Sequence, residues 1–109
     1  MKYTDEELDY RNWRFKQFES KKGFFPVFTD FQKYFGKISP GAITLFMYMG
    51  VHSNNRFGTM FFSIDRMATD LNKTPRTISS WIKELEDTGL IARKQNKFNS
   101  VSVTYLKPY

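Results

Sequence analysis

Two short helical patterns lie next to each other in this chain, with only Asn72 and Lys73 between them. Each begins with a residue whose side-chain oxygen can accept a hydrogen bond from the free N–H groups of a first helical turn, Ser63 in the first and Thr74 in the second. Each has one apolar stripe at helical spacing, made up of Ile64, Met67, Ala68 and Leu71 in the first helix and of Ile78, Trp81, Ile82 and Leu85 in the second. Two amphipathic helices joined by so short a turn predict a helix-turn-helix.

A hairpin pattern follows the second helix without a linker. Pro75 opens that helix at its first position, where a missing N–H leaves nothing unsatisfied, and Gly89 ends it in the left-handed region. Residues 90–93 predict one strand, and three alternating side chains predict its returning partner: Val101, Val103 and Tyr105. A β-hairpin directly after a helix-turn-helix predicts a winged helix, an α+β fold that is mainly α, with the C-terminal hairpin as its wing.

Three further elements precede the helix-turn-helix. Ser39 caps a helix that Pro40 opens, and its predicted core stripe consists of Ile43, Phe46, Met47 and Val51. Residues 59–62, with the sequence TMFF, predict a short strand. Thr29 predicts the cap of a short helix that Gly36 ends. These elements complete a winged-helix domain over residues 29–109.

The first 28 residues differ in character from the rest. Thr4 and Glu7 have the spacing of a capping box, which predicts the start of a helix, but the apolar residues after it follow no single period. Residues 24–28, FFPVF, predict an edge strand, because a proline such as Pro26 is tolerated only there. We therefore expect an N-terminal helix or arm and an edge strand at residues 1–28, forming one compact unit with the winged helix.

Charge and cysteine content limit the classes of function. The chain has 17 Lys and Arg against 11 Asp and Glu, a formal charge of +6, so the natural partners of its surface are nucleic acid or anionic membrane. The absence of cysteine excludes disulfides, thiolate zinc sites and cysteine nucleophiles, and the single histidine, His52, has no second ligand in the pattern. No apolar run is long enough to span a membrane. We therefore expect a cytoplasmic protein without cofactor, metal, enzyme activity or membrane partner.

The outward face of the second helix carries groups that suit the major groove of DNA. At about 100° per residue, the face opposite the buried stripe carries Arg76, Ser80 and Lys83. Arginine can donate two hydrogen bonds to guanine, and small hydroxyl groups can bond to either base of a pair. From Lys73 onward seven basic residues stand against three acidic ones, and none of the acids follows Gly89. The candidates for DNA contact are Lys73, Thr74, Arg76, Thr77, Ser79, Ser80, Lys83, Arg93, Lys94 and Lys97.

Residues 38–94 resemble a known family. The motifs that carry the resemblance are FSIDRMATDL and TPRTISSWIKELEDTGLI, with the aromatic lead-in FFPVFTDFQKYFGKISPGA upstream. They are similar to the winged-helix domain at the N-terminus of RepA-type replication initiators of Gram-positive, especially staphylococcal, plasmids and of related phage replication proteins.

This resemblance implies a bacterial protein that acts in plasmid or phage replication. Members of the family bind repeated sites at a replication origin, usually as dimers, and their further domains recruit host replication proteins. The recognition-helix and wing positions of the family correspond here to Arg76, Thr77, Ser79, Ser80, Lys83, Lys94 and Lys97. Because such initiators are much longer, we expect the chain to be either an N-terminal part of one or a small stand-alone relative.

Two other functions fit the same pattern. A winged helix with this outward face can be a transcriptional repressor acting at a promoter. It can also be a protein-interaction module whose basic face is incidental, since exposed helix positions commonly carry charged and hydroxyl residues.

Aromatic residues are concentrated near the N-terminus. Ten of the 26 residues from Tyr10 to Phe35 are aromatic, which is more than one side of a small core needs. We therefore predict a homodimer, with the alternative that these residues pack on their own domain. The interface candidates are Trp13, Phe15, Phe18, Phe24 and Phe25.

Overall fold

The computed structural model describes residues 2–54, 56–95 and 102–109. Its helices are α1 (Asp5–Glu19), a short 3₁₀ helix (Thr29–Tyr34), α2 (Pro40–Val51), α3 (Ile64–Leu71) and α4 (Pro75–Asp87). Its strands are β1 (Thr59–Met60), β2 (Ile91–Gln95) and β3 (Ser102–Leu106). A mainly helical chain with one small antiparallel sheet confirms the predicted winged-helix fold.

The helix-turn-helix forms as its caps predict. The Ser63 hydroxyl oxygen accepts a hydrogen bond from the Arg66 N–H at 3.1 Å, and that of Thr74 accepts one from the Thr77 N–H at 3.2 Å. Between the helices, Asn72 adopts the left-handed conformation with φ 54°. This lets the Lys73 N–H reach back to the carbonyl of Ala68 at 2.9 Å, which ends α3 and redirects the chain within two residues.

A second residue in the left-handed conformation, Gly89, connects α4 to the wing. Gly89 has φ 79°, and its N–H donates to the Glu86 carbonyl at 3.0 Å. The Leu90 N–H donates to the Leu85 carbonyl, also at 3.0 Å, and both leucine side chains are fully buried. This paired arrangement with its apolar contact is the Schellman motif, so the predicted glycine ending is confirmed.

The sheet has the order β1-β3-β2, with all neighbours antiparallel. Thr104 in β3 is fully buried and pairs with Met60 on one side and with Arg93 on the other. Val103 and Tyr105 alternate along β3 as predicted, but the buried residue is Thr104 between them, and Val101 lies outside the described residues. A threonine can occupy the core because its hydroxyl has a partner, as described below. The strand predicted at 59–62 ends at Met60, and the one predicted at 90–93 runs over Ile91–Gln95.

Helix α2 begins where predicted but buries a different side. The Ser39 hydroxyl oxygen accepts a hydrogen bond from the Ala42 N–H at 3.2 Å, as an N-cap should. Of the predicted stripe only Phe46 is buried, and Val51 is exposed. The buried residues are Ala42, Leu45, Phe46, Met49 and Gly50. The sequence PGAITLFMYMGV is apolar on nearly every side, so periodicity could not select the inward one.

The segment before α2 corrects two predictions. Residues 24–28 form no strand among the described residues; Phe25 instead packs its ring on Phe46, with centroids 6.0 Å apart. The Phe28 N–H donates to the hydroxyl oxygen of Tyr109 at 3.0 Å, so a side chain far along the sequence takes the place of a sheet partner. The helix predicted after Thr29 is a 3₁₀ helix without a side-chain cap.

Helix α1 stands apart from the core. The Thr4 N–H donates to Glu7 Oε1 at 2.9 Å and the Glu7 N–H donates to Thr4 Oγ1 at 3.1 Å, which confirms the capping box. None of the 15 residues of α1 is buried, and the molecule is elongated, at 58 × 32 × 27 Å. No helix in the described ranges has the length and apolar character needed to cross a membrane.

Candidate nucleic-acid interface

The N-terminal half of α4 presents a polar face to solvent. Its inward side is fixed by Ile78, Ile82 and Leu85, which are all buried. The side chains that the helical period placed on the opposite face are exposed: Arg76, Ser80 and Lys83. Ser79, beside them, is exposed as well. The structure thus brings an arginine, two hydroxyl groups and a lysine onto one accessible surface.

Two predicted contact residues at the start of α4 are engaged in the helix cap. Thr74 accepts a hydrogen bond from the Thr77 N–H, and the two threonine hydroxyl oxygens lie 3.0 Å apart, within hydrogen-bonding distance. Thr77 is also half-buried. Their first role is therefore to fix where the helix begins, while Lys73, in the turn, is exposed.

The two cations on this face differ in their surroundings. Lys83 Nζ lies 3.4 Å from Asp87 Oδ2, one helical turn further along, and both side chains are largely exposed. Such a pair contributes little and exchanges readily with solvent or another anion. Arg76 forms no ion pair with any residue in the described ranges. Its guanidinium group is therefore available to a ligand without breaking an existing contact.

The opposite side of α4 is held by two contacts that periodicity alone did not indicate. Glu84 accepts hydrogen bonds from both the N–H and the hydroxyl of Ser39, at 2.9 and 2.7 Å. The indole of Trp81 lies so close to Gly41 at the start of α2 that an added Cβ atom would overlap it. Both contacts fix the orientation of the helix that carries the polar face.

Arg93 has a structural role that its prediction as a DNA contact did not foresee. Its Nη1 atom donates to Thr104 Oγ1 at 2.7 Å and to the carbonyl oxygen of Phe62 at 3.5 Å. Burial lowers the pKa of Arg93, and the charge of Glu86 partly opposes this shift. The guanidinium group therefore ties both strands of the wing to the segment that precedes α3.

The other two candidates for DNA contact in the wing are Lys94 and Lys97. Lys94 is exposed, with its Nζ atom 5.9 Å from the ring centroid of Tyr105. Lys97 lies outside the described residues. At the root of the wing, Lys94 is therefore the candidate that is free to reach a phosphate.

A polar cluster between α2 and α3 was not predicted. The hydroxyl of Tyr48 donates to Asp70 Oδ2 at 2.6 Å, and Arg66 Nε lies 3.7 Å from the same oxygen. Burial and the Asp70 carboxylate together raise the pKa of the Tyr48 hydroxyl far above its ordinary value. Arg66 also lies over the ring of Phe62, 3.8 Å from its centroid. Tyr48 and Asp70 are 22 residues apart, so no local sequence pattern indicated their contact.

The candidates for a dimer interface divide into two groups. Trp13, Phe15, Phe18 and Phe24 are each more than half exposed. Phe25 is not available in the same way, because its ring packs on Phe46 and fills the space beside Gly50.

Within the described ranges, no group of three or more His, Cys, Asp or Glu residues could hold a metal ion.

Comparisons with known proteins agree with the fold and its central motif. A model of a family described as a helix-turn-helix domain matches residues 36–91, more than half of the chain. Two similar solved structures are described as the N-terminal domain of a DNA-binding protein and as a Rep–DNA complex. Each is 15% identical to this chain, covers 99% of it and 84% of its own length, and has a TM-score of 0.59.

A third solved structure, the YusO protein from Bacillus subtilis, is 17% identical, covers 97% of this chain and 69% of its own length, and has a TM-score of 0.50. At these identities the likeness is one of fold. The curated protein sequences contain no match to the chain.

Proposed function

The chain belongs to a family of helix-turn-helix domains, and on this premise we propose that it binds double-stranded DNA in a sequence-specific manner. Helix-turn-helix proteins place the N-terminal residues of their second helix against base edges in the major groove. In this chain that helix is α4. The preceding helix, α3, would cross the DNA backbone, and the wing would contact backbone phosphate beside the groove.

One observation carries the proposal. Arg76 and Ser80 are exposed on the same side of the first turns of α4, directly opposite the buried side chains of Ile78 and Ile82. The guanidinium of Arg76 matches the two acceptors of guanine, and Ser80 can donate to or accept from a neighbouring base. Ser79 and Lys83 extend this surface toward the adjacent phosphates.

The site that we propose is a set of repeats at the replication origin of a plasmid or phage. The resemblance of residues 38–94 to RepA-type initiators supports this proposal. So does the likeness in fold to a structure described as a Rep–DNA complex. We propose that host replication proteins are recruited through regions outside this chain, and that the chain itself acts by binding alone.

We also propose that two copies associate through the exposed aromatic residues near the N-terminus. Trp13, Phe15, Phe18 and Phe24 expose an apolar surface that a monomer would leave in water. A dimer would match repeated or inverted half-sites. Sedimentation at micromolar concentration should give a dimer, whereas a monomer at every concentration contradicts this part of the proposal.

A selection of genomic fragments with the purified protein tests the proposed function. Enrichment of tandem repeats inside a replication gene or origin supports the initiator. Enrichment of promoter fragments indicates a repressor with the same fold. If no fragment is enriched over a random pool of the same length, the proposal of sequence-specific DNA binding is wrong. The alternative function, a protein-interaction module, is then favoured.

A further inference from the structure

The sheet has a second face, turned away from the helices, of which the proposed duplex contacts use only Lys94 in the wing. Tyr105 lies at its centre in the middle strand β3 and pairs with Ala92 in β2 and Thr59 in β1. The opposite face is the one that carries the buried residues Met60, Ile91 and Thr104. Ala92 and Thr59 are both short, so neither residue that pairs with Tyr105 covers its ring.

Aromatic rings and cations alternate on this outer sheet face. Phe57 is 69% exposed and Tyr105 is 36% exposed. The guanidinium carbon of Arg56 lies 5.5 Å from the ring centroid of Phe57, and Lys94 Nζ lies 5.9 Å from that of Tyr105. A shallow depression of about 240 Å³ joins the two rings, and Lys107 lines it together with Lys94.

No acidic side chain opposes these cations within the segments that form the face. Residues 53–62 and 88–109 contain no aspartate or glutamate. An exposed pair of rings flanked by three cations therefore faces solvent beside segments that have basic but no acidic side chains. Such a surface is complementary to a polyanion that can also supply flat apolar groups.

We infer that the outer sheet face binds single-stranded nucleic acid. Unpaired bases would stack on Tyr105 and Phe57, and the phosphates between them would contact Arg56, Lys94 and Lys107. A duplex does not fit this surface, because its bases are stacked on one another and expose only their edges. The inference does not depend on the proposed duplex binding, since the rings lie on the sheet and the proposed duplex contacts centre on α4.

Fluorescence anisotropy at low salt with a labelled oligothymidylate of about 12 nucleotides tests this inference. An abasic oligonucleotide of the same length carries the phosphates without the bases, and an oligouridylate distinguishes RNA from DNA. The informative variants are Tyr105→Leu and Phe57→Leu, which keep an apolar side chain but remove the stacking surface. Tyr105→Phe keeps the ring, and Phe35→Leu removes another exposed ring, far along the sequence from this face.

We expect the oligothymidylate to bind more tightly than the abasic strand, and Tyr105→Leu and Phe57→Leu each to lose about five-fold or more in affinity. Tyr105→Phe and Phe35→Leu should bind like the wild-type chain, with unchanged circular dichroism and melting temperature for all four variants. Equal affinity for the abasic strand would overturn the inference. So would unchanged affinity for the oligothymidylate in folded Tyr105→Leu and Phe57→Leu. Loss of duplex binding in Arg76→Ala, with oligothymidylate binding retained, separates this result from the test of the proposed function.

Discussion

The carboxylate of Glu84 caps a helix to which it does not belong. It accepts the N–H of Ser39 at 2.9 Å and the hydroxyl of Ser39 at 2.7 Å, while the same hydroxyl oxygen accepts the Ala42 N–H at the start of α2. In a capping box the acid comes from the third residue of the helix being capped. Here it comes from α4, so one residue both completes the start of α2 and holds the helix that carries Arg76.

Removing this carboxylate should destabilise the whole domain. We expect Glu84→Ala to lower the free energy of unfolding by about 1 to 3 kcal/mol, because Ser39 loses two charge-assisted hydrogen bonds. Glu84→Gln should lose less, since an amide can still bond to both groups. Urea denaturation measures the change, and Glu86→Ala, an exposed acid on the same helix, serves as the control. Equal losses in Glu84→Ala and Glu86→Ala would contradict the capping role.

The contact between Gly41 and Trp81 should make their substitutions strongly non-additive. Gly41→Ala places a methyl group where the indole lies, so we expect a loss of about 1 to 3 kcal/mol in the free energy of unfolding. In a Trp81→Ala background the same change should be neutral or slightly stabilising, because alanine favours a helix over glycine by about 1 kcal/mol. Urea denaturation of the four proteins gives the coupling energy. Additive effects would mean that the two residues do not meet.

The hydrogen bond between Arg93 and Thr104 should stabilise the wing. Thr104→Val keeps the buried shape but removes the acceptor, so we expect a loss of about 1 to 2 kcal/mol in the free energy of unfolding. Faster hydrogen exchange of the β2 and β3 amides should accompany it. Ser102→Ala, on the same strand but only partly buried, is the control. An unchanged exchange rate in Thr104→Val would show that Arg93 does not hold the strands together.

The two cations on α4 should have different effects on duplex binding. We expect Arg76→Ala to cost about 1 to 3 kcal/mol on the selected site and to relax its base preference, as for a base contact. Lys83→Ala should weaken all sequences alike and reduce the salt slope by about 1, as for a phosphate contact. Lys37→Ala removes one exposed cation outside the helix-turn-helix and should change neither property. If the affinity for duplex DNA changes with neither substitution and does not depend on the salt concentration, the proposed interface is wrong.

The capping box of α1 should respond to acid. Hydrogen bonds from the Thr4 backbone and side chain hold the pKa of Glu7 below its ordinary value. A carboxyl group whose pKa is lower in the folded helix than in the unfolded chain stabilises the helix above the unfolded pKa. That stabilisation is lost as the pH falls through the folded pKa. We therefore expect the Thr4 and Glu7 amide signals to move toward unfolded values on titration from about pH 6 to about pH 2.5. Glu7→Gln, which keeps the hydrogen bond without titrating, should reduce this response.

Elements that depend on near neighbours could be predicted from the sequence. The caps at Ser39, Ser63 and Thr74, the capping box of Thr4 and the left-handed Gly89 all formed as expected. Each rests on hydrogen bonds between residues no more than five positions apart, so the sequence contains both partners. The order of helices and strands, and with it the winged-helix fold, follows from these boundaries. The exposed face of α4 follows as well, because its apolar stripe is narrow.

Only the tertiary structure decided which of several apolar or polar groups went inside. Periodicity could not choose a side of α2, which is apolar nearly all round, nor place Thr104 rather than Tyr105 in the core. It also did not indicate the partners of Arg93 and Glu84, because each bonds to a residue 11 or more positions away. Burial of these groups depends on partners that distant segments bring into reach, and a buried polar group is stable only when such a partner is present. Local hydrogen bonding therefore determined where each element begins and ends, and packing between elements determined what each of them buries.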